Sequence, residues 1–197
     1  MSASKREKLV REALEIFYEG GFSAIGMDRV AAETGVSKTS IYKHFRTKDD
    51  LILATLRLRD EQFRNWLIRK VEGLAGDPDG RLIAVFDALR EWLLEPGFKG
   101  CMFVKASAEF QDRANPVHAA AAEHKRLLRL YLTQLAENAG APAPGELALQ
   151  LQLLIEGAIT IAHLHDPDQA AHSARAAARV LIAAELRPSG ERVRTET

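Results

Sequence analysis

Residues 30–51, VAAETGVSKTSIYKHFRTKDDL, constrain the fold of this chain more than any other segment. Two short helical patterns meet there at Gly35, a residue that tolerates the positive φ of a tight corner. Met27 and Val30 give the helix before the corner an apolar face, and Ser37 can cap the helix that follows it. The segment therefore predicts a helix-turn-helix.

The second helix of this motif has an apolar side and a polar side. Ile41 and Phe45 lie four residues apart and are predicted to be buried together. From residue 37 to residue 48, basic residues are uninterrupted by Asp or Glu, so the segment is positive although the whole chain has no formal net charge. Such a run usually marks only a solvated face. On the second helix behind a glycine corner, it favours insertion into the major groove of DNA.

The segment from about residue 6 to residue 56 resembles the DNA-binding domain of TetR-family transcriptional repressors. The resemblance rests on several short motifs in one order: a first helix ending in Phe17, Gly20-Gly21-Phe22, Val30-Ala31, Gly35-Val36-Ser37, Ile41-Tyr42, His44-Phe45 and Lys48. A looser likeness continues in Gly100-Cys101-Met102-Phe103 and Glu156-Gly157. Several spaced motifs in order are a more specific signal than one short motif.

The resemblance and the helical periodicity together predict an all-α fold of about nine helices. Residues 1–46 are expected to form a three-helix DNA-binding domain, and residues 47–187 a ligand-binding and dimerisation domain. Residues 188–197 are polar and are predicted to be disordered. The last two helices, near residues 147–164 and 170–186, are expected to form a four-helix bundle with those of a second copy. Packing within one chain is the alternative for these helices.

The chemistry of the side chains, together with the resemblance, predicts how the protein contacts a double-stranded DNA operator. Base edges are expected to be read by Lys38, Thr39, Ser40 and Lys43. The phosphate backbone is expected to be held by Tyr42, His44, Thr47 and Lys48. Ser37, at the start of the same helix, is also expected to contact DNA. For His44 the alternative is that it packs between helices.

The residues before the first helix of the motif depart from the family pattern. A Thr or Ser is common there and can touch a phosphate, whereas this chain has Ile25 and Gly26. Glycine is an acceptable N-cap but brings no hydroxyl. Arg29 is therefore expected to supply the phosphate contact at this edge.

Three other helix boundaries follow from local signals. Thr47 and Asp50 predict a capping box at the start of a long helix. A helix is expected from about residue 81 to 94, and another from about Cys101 to Asn115-Pro116. Further helices are predicted up to Asn138 and beyond a loop of small residues.

The resemblance implies that the second domain binds a small-molecule inducer. The predicted lining is Phe86, Trp92, Cys101, Phe103, Phe110, Tyr131, Glu156 and His163. The alternative for each aromatic residue is that it packs in the core instead of lining a pocket. Glu156 and His163 lie seven residues apart on the most apolar helix and are expected to be buried there, bonded either to the ligand or within the protein.

Composition excludes several classes of protein. The single cysteine, Cys101, cannot form an internal disulfide and fits a reducing cytoplasm. The N-terminus has no apolar signal core, and no run is expected to approach the roughly 20 apolar residues that span a bilayer. A soluble cytoplasmic protein without a membrane partner is the expectation.

The sequence does not indicate an enzyme, a cofactor or a metal. Its histidines lack a recognised metal-ligand spacing, and it has no glycine-rich phosphate loop. His163, His165 and Asp166 form one short candidate for a metal site, with a place at the surface as the alternative.

The sequence predicts a transcriptional regulator that binds a palindromic operator as a homodimer and is released by an unknown inducer. Repression is the family's usual mode, but activation would use the same DNA contacts. Two alternatives remain open. One is a helical small-molecule carrier without DNA affinity, and the other is a redox sensor that acts through Cys101. For Cys101 itself, the simpler interpretation is a small apolar residue buried in the core.

Overall fold

The structure is a computed structural model in which residues 4–187 are described. That part of the chain contains nine α-helices and no strand, which confirms the predicted all-α fold. The helices are α1 Lys5–Gly20, α2 Met27–Thr34, α3 Lys38–His44, α4 Lys48–Leu74, α5 Pro78–Leu93, α6 Met102–Glu109, α7 Pro116–Asn138, α8 Pro144–Leu164 and α9 Pro167–Glu185. The predicted disordered tail, residues 188–197, lies outside the described residues.

The chain divides into two compact units. The first consists of Met1–Asn65 and Cys101–Lys125, and the second of Trp66–Gly100 and Arg126–Thr197. The first unit thus combines α1, α2 and α3 with α6 and with the N-terminal parts of α4 and α7. These units are not the domains expected from the sequence, and the boundaries at residues 46 and 187 stay predictions.

Local capping signals fix α1 in the first unit. The Ser4 hydroxyl accepts a hydrogen bond from the backbone N–H of Glu7 at 3.2 Å, and the Glu7 carboxylate accepts one from the N–H of Ser4 at 2.9 Å. This reciprocal pair satisfies N–H groups that a helix start leaves without intrahelical partners. Leu9, Ala13 and Phe17 are buried on the inner face of the helix. The helix therefore serves as the apolar support of the helix-turn-helix.

The predicted capping box at the start of α4 is confirmed. The Thr47 hydroxyl accepts from the N–H of Asp50 at 3.1 Å, and the Asp50 carboxylate accepts from the N–H of Thr47 at 3.0 Å. Leu51, Ile52 and Leu56 then bury the inner face of the first turns. The helix continues for 27 residues, so it contributes to both units.

In the second unit, α8 and α9 pack against each other, and α5 packs against α9. Small residues make the close approach possible, because Ala170, Ala174 and Ala178 are buried along α9. A bidentate ion pair adds to this packing: Arg175 donates to the Asp87 carboxylate at 2.6 and 3.2 Å. Packing inside one chain is therefore sufficient to explain the alanine-rich sequence of α9, whether or not α9 also contacts a second copy.

The helix predicted from about residue 101 to residue 115 is too long. The structure ends α6 at Glu109 and starts α7 at Pro116. Asn115 belongs to the start of α7, because its side chain accepts a hydrogen bond from the N–H of Val117 at 2.8 Å and so caps that helix. Asp112 forms a second local turn by accepting from the N–H of Ala114 at 2.9 Å. Side-chain caps of this kind compete with continuation of a helix.

The expectation that no segment approaches a membrane-spanning length is wrong for α8. This helix has 21 residues and a mean hydropathy of 1.5 in its most apolar window, so by length and composition alone it could cross a bilayer. Part of its apolar surface packs within the second unit, where Leu147, Leu151 and Ala158 are buried. Packing within the second unit does not account for the apolar side chains of α8 that stay exposed, such as Leu153 and Ile161.

Candidate nucleic-acid interface

The corner between α2 and α3 has the geometry that the sequence predicts. Gly35 ends α2 with a φ of 66°, in the left-handed region that favours glycine. The Ser37 hydroxyl accepts from the N–H of Ser40 at 3.3 Å and caps α3. The Thr34 hydroxyl donates to the carbonyl of Val30 at 2.7 Å and accepts from the N–H of Val36 at 3.3 Å. The corner is therefore held by its own side chains.

The two predicted core residues of α3 are buried. Ile41 is fully enclosed, and Phe45 is 4% exposed immediately after the helix. The Arg6 guanidinium of α1 stands over the Phe45 ring at 4.8 Å from its centroid. This cation–π contact adds to the apolar packing that anchors α3. The opposite side of the helix is left facing outwards.

The outward side of α3 carries the predicted DNA-contacting groups. Tyr42 is 44% exposed, so its ring and hydroxyl are available for contact with a partner. Thr39, Lys43 and His44 are exposed as well, and Ser40 is half-buried. The exposure of His44 shows that its alternative, packing between helices, is wrong.

Electrostatics on this surface differ from what the sequence suggests. The Lys38 ammonium pairs with the Asp28 carboxylate at 2.9 Å, and this hydrogen bond and charge raise the pKa of Lys38. Arg29 likewise pairs with Glu33 one turn later on α2. Acidic residues outside residues 37–48 thus offset part of the predicted positive charge. Lys43, Arg46 and Lys48 are the lysine and arginine residues of the segment that pair with neither acid, and of these Lys43 and Arg46 are exposed.

Arg46 was not among the residues predicted to contact DNA. It follows α3 directly and is exposed beside the start of α4. The signal that could have identified it is the same basic run that identified Lys43. Its exposure makes it a further candidate for contact with a phosphate.

The start of α2 has no side-chain cap, as the sequence predicts. Gly26 is the N-cap and makes no side-chain hydrogen bond. Arg29 would have to exchange its Glu33 partner for a phosphate to act there. Lys48 also lies near this edge, because its ammonium donates to the carbonyl of Ser23 at 3.4 Å. Thr47 uses its hydroxyl in the capping box and retains the hydroxyl hydrogen for a phosphate oxygen.

A polar group inside the first unit was not predicted from the sequence. The Asp60 carboxylate of α4 bonds to His124 Nδ1 of α7 at 2.7 Å and accepts from Arg64 at 2.9 and 2.7 Å. His124 is 3% exposed and stacks on Phe103 with 3.6 Å between ring centroids. Burial alone would raise the pKa of Asp60, but the hydrogen bonds from His124 and Arg64 outweigh it and hold the pKa well below its usual range. Asp60 is therefore ionised at neutral pH.

The Asp60 group gives an acid-dependent prediction. Because the folded-state pKa is lowered, the stabilisation by Asp60 is present above its unfolded pKa of about 4 and is lost as pH falls through the folded-state value. We expect Asp60→Asn to lower the free energy of unfolding by about 2 kcal/mol at pH 7, since His124 and Arg64 lose a charged partner. Urea unfolding from pH 7 to pH 3 should show a difference between the two proteins that stays constant down to about pH 4 and begins to shrink below it. A constant difference across that range would contradict the assignment.

Part of the predicted ligand lining lies in the second unit. Phe86 and Trp92 are buried, and Tyr131 is half-buried, which together with the charge of Glu72 raises its pKa to about 12. Glu156 is half-buried, so its expected full burial is wrong. His163 is exposed, and its expected burial is also wrong.

The position of His163 has a local cause. Its ring contacts Phe98 at 6.4 Å between centroids and lies against Gly100, which has a φ of 84°. A Cβ at Gly100 would come 3.3 Å from the imidazole. From the end of α8, the histidine therefore covers the turn between α5 and α6 rather than entering the core.

The other predicted lining residues lie in the first unit. Cys101 and Phe103 are buried, and Phe110 is half-buried with its ring edge towards Phe22, at 6.2 Å between centroids. The thiol of Cys101 is free and accepts a hydrogen bond from the Lys125 ammonium at 3.3 Å. That these residues and those of the second unit line one ligand pocket stays a prediction.

Within residues 4–187, no group of three or more His, Cys, Asp and Glu side chains is arranged to hold a metal ion. The candidate formed by His163, His165 and Asp166 is used differently. Asp166 caps α9 by accepting from the N–H of Asp168 at 2.9 Å and of Gln169 at 3.1 Å. Both histidines are exposed.

Comparison with known families gives two matches along the chain. The family model described as bacterial regulatory proteins of the tetR family matches residues 9–55. The model described as a tetracyclin repressor-like C-terminal domain matches residues 78–178. The first match includes the α2–α3 corner, and the second runs from α5 into α9.

Individual proteins agree with these matches. The crystal structure of a TetR-family transcriptional regulator from Streptomyces coelicolor is 31% identical, covers 92% of this chain and 96% of its own, and superposes with a TM-score of 0.86. The transcriptional repressor NemR of Escherichia coli is 25% identical over 134 residues, 68% of this chain and 67% of NemR. The transcriptional activator FasR of Mycolicibacterium smegmatis is 43% identical over 53 residues, 27% of this chain and 24% of FasR.

Proposed function

Because the chain belongs to the TetR family of DNA-binding transcriptional regulators, we propose that it is a cytoplasmic repressor that binds a palindromic operator as a homodimer and is released by a small-molecule inducer. The observation that carries this proposal is the outward side of α3, where Tyr42 and Lys43 stand exposed behind the Gly35 corner. A helix presented in this way fits the major groove. A carrier without DNA affinity would have no use for this surface.

In this proposal, α3 supplies the contacts that read sequence. Thr39, Ser40 and Lys43 face the base edges, with Lys38 joining them when DNA displaces Asp28. Phosphates are held by Arg29, Ser37, Tyr42, His44, Thr47 and Lys48, with Arg46 added from the structure. The phosphate contacts set the position of α3 along the DNA, and the base contacts determine which DNA sequence is bound.

The homodimer is proposed to form through α8 and α9. Their outer surface exposes large apolar side chains, and Leu153 is 65% exposed. The others are Leu149, Ile161, Leu164 and Val180. A groove of about 360 Å³ runs between the helices and is lined by Leu153, Leu154, Ile161 and small residues of α9. An apolar surface of this kind marks an interface, and a dimer would place two copies of α3 roughly 34 Å apart on one side of DNA.

The inducer is proposed to act by selecting between two forms of the dimer. A ligand releases DNA only if it binds the DNA-incompetent form more tightly than the competent form. The proposed lining is the predicted set: Phe86, Trp92, Cys101, Phe103, Phe110, Tyr131, Glu156 and His163. Helix α4 is the proposed lever, because one continuous helix of 27 residues runs from the DNA-binding motif into the second unit.

Transcription from a promoter that carries the operator tests this function. We expect the purified protein to lower transcript yield and an inducer, found by thermal-shift screening of small aromatic compounds, to restore it. The relatives include a repressor, NemR, and an activator, FasR. If addition of the protein raised the transcript yield, the protein would be an activator instead of a repressor. If the ligand strengthened DNA binding, the ligand would be a corepressor instead of an inducer.

A second candidate is regulation by oxidation of Cys101. The observation that favours it is the Lys125 ammonium, which donates a hydrogen bond to the thiol at 3.3 Å. The thiol is buried, which opposes rapid reaction. We expect hydrogen peroxide to weaken operator binding of the parent protein but not of Cys101→Ser if this candidate is correct. Equal affinities before and after oxidation would exclude it.

A further inference from the structure

The turn between α1 and α2 is bound by a carboxylate from a distant part of the chain. Glu109, the last residue of α6, accepts hydrogen bonds from the backbone N–H groups of Phe22 at 3.1 Å and Ser23 at 2.5 Å. These residues are 87 and 86 positions away in the sequence, and all three belong to the first unit. Successive N–H groups that converge on one anion form a strong backbone site.

The backbone of the turn is shaped around this carboxylate. Gly21 has a φ of 79°, a conformation that favours glycine, and it ends α1. A Cβ at this position would lie 3.2 Å from Oε1 of Glu109. Glycine at this position therefore has two roles: it adopts the left-handed backbone conformation without strain, and it leaves room for the carboxylate to approach closely.

Other contacts hold α6 and the turn together on either side of Glu109. The Lys105 ammonium of α6 donates to the carbonyl of Tyr18 at 3.3 Å. The Phe110 ring packs edge-on against Phe22. Contacts from α6, and from Phe110 just after it, thus hold the end of α1 and the turn as far as Ser23.

The location of Glu109 is unfavourable for α6 itself. The C-terminal end of a helix carries partial negative charge, so a carboxylate there is normally destabilising. The N–H groups of the turn compensate for this. Partial burial would raise the pKa of Glu109, but the hydrogen bonds from Ser23 and Phe22 and the charge of Lys48 outweigh it and lower the pKa. The carboxylate is therefore ionised where the helix alone would disfavour it.

The turn leads directly into the part of the motif that meets DNA. Three residues after Ser23, Gly26 begins α2 without a side-chain cap, so the start of α2 has no capping side chain of its own to hold it. Helix α2 in turn packs against α3. We propose that Glu109 is a positioning residue for DNA binding, whose carboxylate holds the turn before α2 in the conformation in which the start of α2 contacts a phosphate.

This inference rests on the proposed operator binding and adds a route for its regulation. Glu109 ends the same helix whose first residues, Met102 and Phe103, are buried in the first unit. A ligand that shifts α6 along its axis would withdraw the carboxylate from Phe22 and Ser23. The phosphate contact at α2 would then be lost without any change in α3.

Amide hydrogen exchange in the full chain tests the contact, and DNA titration tests its role. We expect the N–H groups of Phe22 and Ser23 to be protected in the parent protein and in Glu15→Ala, a charge-matched variant at an exposed position of α1. They should exchange rapidly in Glu109→Ala. Glu109→Gln, which keeps size and one acceptor oxygen, should give intermediate protection.

The same four proteins should differ in DNA binding. We expect Glu109→Ala to bind the selected operator about tenfold more weakly and to lose about one unit of the slope of log affinity against log salt, as for one lost phosphate contact. Glu109→Gln should lie between, and Glu15→Ala should match the parent. Loss of stability alone would lower the active fraction and leave the slope unchanged.

Two results overturn this inference while leaving the proposed function intact. One is unprotected N–H groups of Phe22 and Ser23 in the parent protein. The other is a Glu109→Ala variant that binds the operator with the parent's affinity and salt slope. A parent protein that selects no operator would instead overturn the proposed function, and this inference with it.

Discussion

Replacing Leu153 and Ile161 by glutamate should convert the protein into a monomer and weaken operator binding by more than about a hundredfold. Both side chains are exposed in the single chain and line the groove between α8 and α9. Carboxylates buried in an apolar interface without partners carry a large desolvation cost, whereas they are harmless on a monomer surface. The weaker binding follows because one copy of α3 reads only half of a palindrome.

Sedimentation velocity and operator titration measure the two effects. Leu130→Glu is the matched control, because Leu130 is also a largely exposed leucine but lies on α7. We expect the control to remain dimeric and to bind normally, and both proteins to keep the parent's helical content. A double variant that stays dimeric would show that α8 and α9 do not form the interface. A monomer with the parent's affinity would show that dimerisation is not required.

Replacing Tyr42 and Lys43 by alanine should also weaken operator binding by about a hundredfold or more. The stability of the protein should change little, because both side chains point away from the buried face formed by Ile41 and Phe45. Because Lys43 is proposed to face base edges rather than a phosphate, the slope of log affinity against log salt should fall by less than about one unit. Fluorescence anisotropy at several salt concentrations gives both quantities.

A control separates loss of charge from loss of the interface. Lys70 is a lysine of the second unit that pairs with Glu91. We expect Lys70→Ala to bind the operator as the parent does. If Tyr42→Ala, Lys43→Ala kept the parent's affinity, the outward side of α3 would not be the DNA-contacting surface.

The helix-turn-helix was predictable because its determinants are local. The positive φ of Gly35, the Ser37 cap and the spacing of Ile41 and Phe45 all lie within a few residues. The capping box of Thr47 is equally local. Such signals can be recognised in a sequence because residues only a few positions apart determine the backbone conformation between them.

The electrostatic partners were not predictable because they come from other helices. Lys38 meets Asp28 across the corner, and the contact of Asp60 with His124 joins α4 to α7. Nothing in the basic run indicates that Asp28 lies against it. Glu109 could be suspected only from its unfavourable position at a helix end, and that position depends on where α6 stops.

The burial of Glu156 and His163 on α8 was predicted incorrectly for a related reason. A helix that is apolar on nearly every side suggests full enclosure. In the single chain, Leu153 and Ile161 are exposed, and His163 is turned outwards over Gly100. Sequence periodicity does not distinguish burial within one chain from burial against a second copy.

Selection of bound fragments from random duplex DNA tests the central claim most directly. The parent protein and Tyr42→Ala, Lys43→Ala are carried through the same rounds at low salt without ligand. Recovery of a palindromic site by the parent, and of no site by the variant, is the predicted result. Recovery of no enriched sequence by the parent, or of the same site by both proteins, would contradict the account of α3 as the element that reads an operator.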